Sequence, residues 1–191
     1  MVIALAWLRI NDFLAHRNVV PSDISRKIIH IGTGPIFVIC WLFFNDSPTA
    51  PLFAAVVPLL ITLQFALVGS GIIKDPSAVD AMSRTGDRQE ILRGPLFYGV
   101  GFVLLTLIFW RNSPIGLVSL MMLCGGDGLA DIVGSRVGSR RLAWSPRKSL
   151  VGSLSMFLGG FSMAVMILWL FIVRGYFEGP ISAYVLPVGI I

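Results

Sequence analysis

The chain has 191 residues, of which 55% are hydrophobic and 13% charged, against about 25% charged in an ordinary soluble domain. That leaves too little polar surface to cover a core of this size in water, which argues against a free-standing soluble domain. The net charge of +5 is carried by short loops between apolar blocks, a placement that speaks for membrane topology and against a nucleic-acid surface.

A hydrocarbon core of about 30 Å takes about 20 helical residues. Met1 to about Phe13 is expected to be a partial first helix, without the cleavage site of a signal peptide. Ile28–Phe44, Pro51–Ile73, Pro95–Trp110, Pro114 to about Val137 and Leu150–Val173 are each apolar enough to cross. Pro180–Ile191 is expected to begin another span. The prediction is an all-α, multi-pass transmembrane helical bundle of about six to seven spans. It is expected to be one integral membrane domain over 1–191, truncated at the C-terminus and clipped at the start. Pro51, Pro95, Pro114 and Pro180 each open a span, where the missing N–H costs nothing. Cys40 and Cys124 match no metal or redox spacing and are expected to be small buried hydrophobes.

Thirteen of the 15 Lys and Arg residues fall in alternate loops, leaving Arg111 and Arg174 on the other side. The positive-inside rule makes the rich side cytoplasmic, or stromal in a plastid. The longest hydrophilic loop, Lys74–Gly94, lies on that side and carries both signs of charge.

The chemistry is concentrated in Leu123–Gly138. An apolar run enters it, and Asp127 and Asp131 then follow four residues apart, on one face of a helix. Two like charges at membrane depth need a cation, and a hard Mg²⁺ ion held by carboxylates and substrate phosphates satisfies them. Ala130, Gly134 and Gly138 form a small-residue stripe at four-residue spacing; it serves close helix packing or a backbone surface that a nucleotide can approach. Arg147, Lys148 and Ser149, followed by Gly152, place a basic pair and a hydroxyl at an expected helix N-terminus, which favours an anion and equally suits an ordinary cap. On the same side stand Arg26, Lys27 and His30 at the opening of one span and Arg93 before another.

These residues resemble the polyprenol kinases, comprising dolichol kinase and the phytol and farnesol kinases. Arg26-Lys27-Ile28-Ile29-His30 resembles the family's Arg-Lys-x-x-His opening. Gly126-Asp127-Gly128-x-Ala130-Asp131-x-x-Gly134-x-x-x-Gly138, followed by Lys148-Ser149-x-x-Gly152, resembles its CTP-binding signature. Met82–Arg88 and Leu92–Leu96 are similar to the phytol and farnesol branch. Val151 departs from the dolichol kinases, which carry Glu there. The resemblance implies phosphoryl transfer from CTP to a long isoprenoid alcohol, phytol above all, in a salvage route feeding tocopherol synthesis. It implies a plastid membrane in a plant or alga, and otherwise a cytoplasmic membrane.

In this reading Asp127 and Asp131 hold Mg²⁺, and Lys148 with Arg147 or Arg93 neutralises the transferring group. Gly128, Ala130, Gly134, Gly138, Ser149 and Gly152 line the nucleotide, and Arg26, Lys27 and His30 support the site. The expected partners are the lipid bilayer, the alcohol and the nucleotide. The same apparatus would serve a CTP-dependent diacylglycerol kinase or a CDP-lipid cytidylyltransferase. A rival of another class is an ion-coupled transporter, with a helix broken at Gly125–Gly128.

Overall fold

The computed structural model describes residues 22–83, 85–137, 141–143 and 145–185. The expected partial helix at Met1–Phe13 lies outside the described residues, as do Gly138 and the last six positions of Pro180–Ile191. The five complete spans anticipated from composition are all helical. Ala50–Ser70, Arg88–Asn112, Pro114–Arg136 and Leu150–Val173 are long and apolar enough to cross a membrane, and Lys27–Phe43 is a shorter apolar helix. The chain divides into two compact units, Met1–Phe43 with Arg111–Ile191, and Phe44–Trp110.

The first unit opens with α1 (Ser22–Cys40), continued by a 3-10 turn at Trp41–Phe43. The intervening helices α2 (Ala50–Ser70), α3 (Pro76–Met82) and α4 (Gly94–Phe109) form the second unit. The chain then returns to the first unit with α5 (Pro114–Met121), a π-turn at Met122–Gly126 and α6 (Asp127–Arg136). A two-stranded antiparallel hairpin follows, β1 (Arg141–Leu142) with β2 (Ser145–Ser149), and leads into α7 (Leu150–Val173). Arg141 lies opposite Ser149 and Leu142 opposite Ser145, with a bulge between. The hairpin is the one departure from an all-helical chain among the described residues. It folds the basic loop where no apolar helical pattern competes.

Sequence chemistry explains the ends. Proline stands in the first turn of α2, α4 and α5, and Gly71 closes α2 with φ at +83°, a conformation open to glycine without cost. Ser113 and Ser149 cap α5 and α7. The core of the first unit includes Val38, Leu117, Leu120, Met121, Ile167, Leu168 and Phe171, all buried. In the second unit Gly99 of α4 lies against Thr62 of α2. Thr62 and Thr106 return their hydroxyl protons to the carbonyls four residues back, at 2.6 Å each. A buried hydroxyl in an apolar helix is thereby satisfied without leaving its own helix.

On α2, Leu52, Phe53, Val56, Val57, Leu59, Leu60, Ile61 and Leu63 remain exposed. In water such a surface would drive association; in a bilayer it is the lipid-facing side. The segment Lys74–Gly94 carries structure of its own. Asp75 accepts from the Ala78 amide at 3.0 Å and caps α3, and Asp87 accepts from the Gln89 amide at 2.9 Å at the head of a 3-10 turn, Arg88–Leu92. The Thr85 hydroxyl donates to Glu90 at 3.0 Å.

At the charge-poor end of the first unit, Arg111 is only 2% exposed. Its Nη1 donates to the Trp41 carbonyl at 2.9 Å and to the Tyr176 hydroxyl at 3.3 Å, and the guanidinium stands 5.0 Å from the Tyr176 ring centre. One cation thus ties the turn after α1 to the turn after α7. Composition placed Arg111 as a lone loop charge; its burial had no signal beyond the neighbouring aromatic residues.

Candidate functional site

The site is built where α1 meets α6. α1 runs toward the charge-poor end and α6 runs back, so their faces match in antiparallel order. Lys27 Nζ lies 3.2 Å from Asp131 Oδ2, and His30 Nε2 lies 3.7 Å from Asp127 Oδ2. The rungs fit because Lys27 and His30 are three apart on one helix, and Asp127 and Asp131 four apart on the other. His30 also hydrogen-bonds the Leu123 backbone, which joins α1 to the π-turn.

Two local features make this approach feasible. Gly128 is buried against Ile31 and His30 of α1, and a side chain at 128 would collide with Ile31. The π-turn immediately before Asp127 adds a residue to the helix, turning everything after it by about 100°. The helix is therefore continuous through Gly125–Gly128, and the break expected for a transporter is not formed there.

The third wall is α7. A Cβ added at Gly134 would lie 3.2 Å from the Gly152 Cα and 3.4 Å from the Ser149 Oγ, and one added at Gly152 would lie 3.4 Å from the Ala130 carbonyl. Ala130, Gly134 and Gly152 thus bring the two helix backbones together, the packing use of a small-residue stripe. Ser149 is 6% exposed, and its Oγ accepts from the Gly152 amide at 3.1 Å. This is a helix cap, set beside the turn of α6 that bears Asp131. Ser149→Ala is expected to lower stability by about 1 kcal/mol, read as a drop in thermal melting temperature of about 2–4 °C.

Lys148 is exposed at the end of β2, one residue before this cap. Arg147 stands in β2 and Arg26 in α1. Arg93 is exposed and belongs to the second unit, between its 3-10 turn and α4. The first unit therefore brings together Lys27, His30, Asp127, Gly128, Ala130, Asp131, Gly134, Ser149 and Gly152. The pairing of α1 with α6 was not visible in the sequence, because spacing along each helix says nothing of which helices meet.

Asp127 has a side chain 68% exposed and Asp131 one 41% exposed. Carboxylate oxygens are hard donors of the kind that bind hard divalent cations. Among the described residues no group of three His, Cys, Asp or Glu side chains could hold a metal ion. Asp127 and Asp131 together present two carboxylates one helical turn apart, the oxygen-donor type that Mg²⁺ takes alongside water and phosphate oxygens.

No family model matches the chain, and no solved structure matches it. Among curated proteins it is similar to the probable chloroplastic phytol kinase of Triticum aestivum, 43% identical over 173 residues that cover 91% of this chain and 58% of that protein. The probable chloroplastic phytol kinase 1 of Glycine max is 42% identical over 173 residues, 91% of this chain and 57% of its own length. The chloroplastic phytol kinase 1 of Arabidopsis thaliana is 42% identical over 165 residues, 86% of this chain and 54% of its own length. The chain thus spans a little over half the length of the curated relatives it matches.

Proposed function

We propose that the chain shares the polyprenol kinase family of the plant phytol kinases it is similar to, and that it phosphorylates an isoprenoid alcohol, phytol first, with CTP or another nucleoside triphosphate as donor. The observation that carries this reading is the carboxylate pair of α6, open on one side and held by Lys27 and His30 on the other, beside the basic approach to α7. The alcohol would reach the site laterally from the bilayer, with its hydroxyl at the interface. The nucleotide would come from the basic face, stromal if the membrane is a plastid's and cytoplasmic otherwise.

Asp127 and Asp131 are the residues that would hold Mg²⁺. When bound, the ion would supply charge neutralisation across the donor's phosphates. The alcohol oxygen forms a bond to the γ-phosphorus as the bond to the bridging β–γ oxygen breaks, and the nucleoside diphosphate leaves. The hydroxyl proton passes to a carboxylate, a role we assign to Asp127 as the more open of the two. Lys148, exposed near the end of its strand, would neutralise charge as it moves onto the leaving phosphate. Such catalysis is mostly positioning and electrostatics, which is what two facing helices and a capped third provide.

The test is label transfer by membranes carrying the full-length protein, with phytol, farnesol, dolichol and diacylglycerol offered in turn. Label is expected to move from γ-labelled CTP onto phytol or farnesol, and only with Mg²⁺ present. Transfer to diacylglycerol alone, or a product heavier by a CMP unit, would overturn the assignment, as would no transfer to any alcohol.

A further inference from the structure

The Lys27–Asp131 pair has a consequence for how the divalent cation arrives. Lys27 is the more sheltered partner, 18% exposed against 41% for Asp131. Asp127, opposite His30, is far more open at 68%. An ion pair this exposed contributes little to stability, about 0–1 kcal/mol, so its position calls for another account. A cation of the chain itself already sits on one of the two carboxylates that a metal ion would need.

We propose that Lys27 is a built-in counter-ion that keeps Asp131 from binding free divalent cation, so that the site takes its metal together with the nucleotide. The inference rests on the kinase reading above. A free ion approaching Asp127 and Asp131 meets the Lys27 ammonium and must displace it, leaving that ammonium without an anion. A metal–nucleotide complex brings phosphate oxygens with it, and the displaced ammonium pairs with those instead. The same displacement is unfavourable for the ion alone and balanced for the complex. Lys27 is in this account a positioning residue, acting through Asp131 on the selectivity of the site.

The experiment is a Mn²⁺ titration of the purified full-length protein, followed by electron paramagnetic resonance, with and without CTP. Wild type is expected to bind Mn²⁺ weakly alone and more tightly with CTP. Lys27→Met and Lys27→Gln are expected to bind Mn²⁺ alone about tenfold more tightly or better, a change of about 1.4 kcal/mol. Lys27→Arg is expected to restore the wild-type weakness, a rescue that a merely structural lysine would not produce. Two neutral variants guard against one failing to fold. Unchanged or weaker Mn²⁺ binding in both would overturn the proposal, and so would wild-type protein that binds Mn²⁺ equally well without CTP. Absence of prenol phosphorylation by the wild-type protein, with the free-ion shift of the Lys27 variants intact, would count against the kinase and leave the Lys27 assignment standing.

Discussion

Asp127→Asn is expected to lower phosphoryl transfer by about 10³-fold or more, with the protein still inserted and melting as wild type. The substitution keeps size and removes charge at the most open carboxylate of the site, 68% exposed. Its contact to His30, at 3.7 Å, is too long to be a strong hydrogen bond. Changes at so exposed a position lie within about ±0.5 kcal/mol in stability. On the kinase reading, what would be lost is a cation ligand and a proton acceptor, and little else. The check pairs label transfer with a thermal melt on the same preparation. Near-normal turnover would remove Asp127 from the chemistry.

Gly152→Val is expected to act on the framework instead. The atoms that face position 152 are the Gly134 Cα at 3.2 Å, the Ser149 Oγ at 3.1 Å and the Ala130 carbonyl at 3.4 Å. Two of these are backbone and cannot swing aside, so the helices must part. Overpacking of this kind costs about 1–3 kcal/mol, equivalent to about 2–12 °C in melting temperature for a chain of this size. Parting α6 from α7 also moves the Ser149 cap and the Lys148 strand end away from Asp131, so transfer should fall along with stability. A melt unchanged from wild type would mean that the two helices do not cross at Gly134 and Gly152.

The spans were legible because the bilayer sets a length and the chain marks their ends. Pro51, Pro95 and Pro114 open helices, and charges sit at the loops between, so boundaries from composition fall within a few residues of the structure. The Ser149 cap could be read for the same local reason, a hydroxyl just before an apolar run. Asp127 and Asp131 could be placed on one face from their spacing alone.

Longer-range features left no such mark. That the Lys27–His30 face meets the Asp127–Asp131 face depends on how uniformly apolar helices pack, and Gly34 and Gly128 permit it without advertising it. The π-turn at Met122–Gly126 looks in the sequence like ordinary apolar helix running into two glycines. Ala130, Gly134 and Gly152 admit either a nucleotide or a neighbouring backbone, and in the structure they meet a backbone. The hairpin between α6 and α7 has strands too short for an alternating pattern to be seen.

The first unit is assembled from two stretches of chain with the whole of the second unit between them. Lys27 and Asp131 are about 100 residues apart, and a ribosome adding about 5–20 residues per second needs about 5–20 s to travel from one to the other. Throughout that interval α1 has its basic face made and its acidic counterpart unborn. A nascent chain released early would carry the second unit's sequence entire and the first unit's site half written. Completion of this site is thus an event in the timetable of synthesis, set by the emergence of α6.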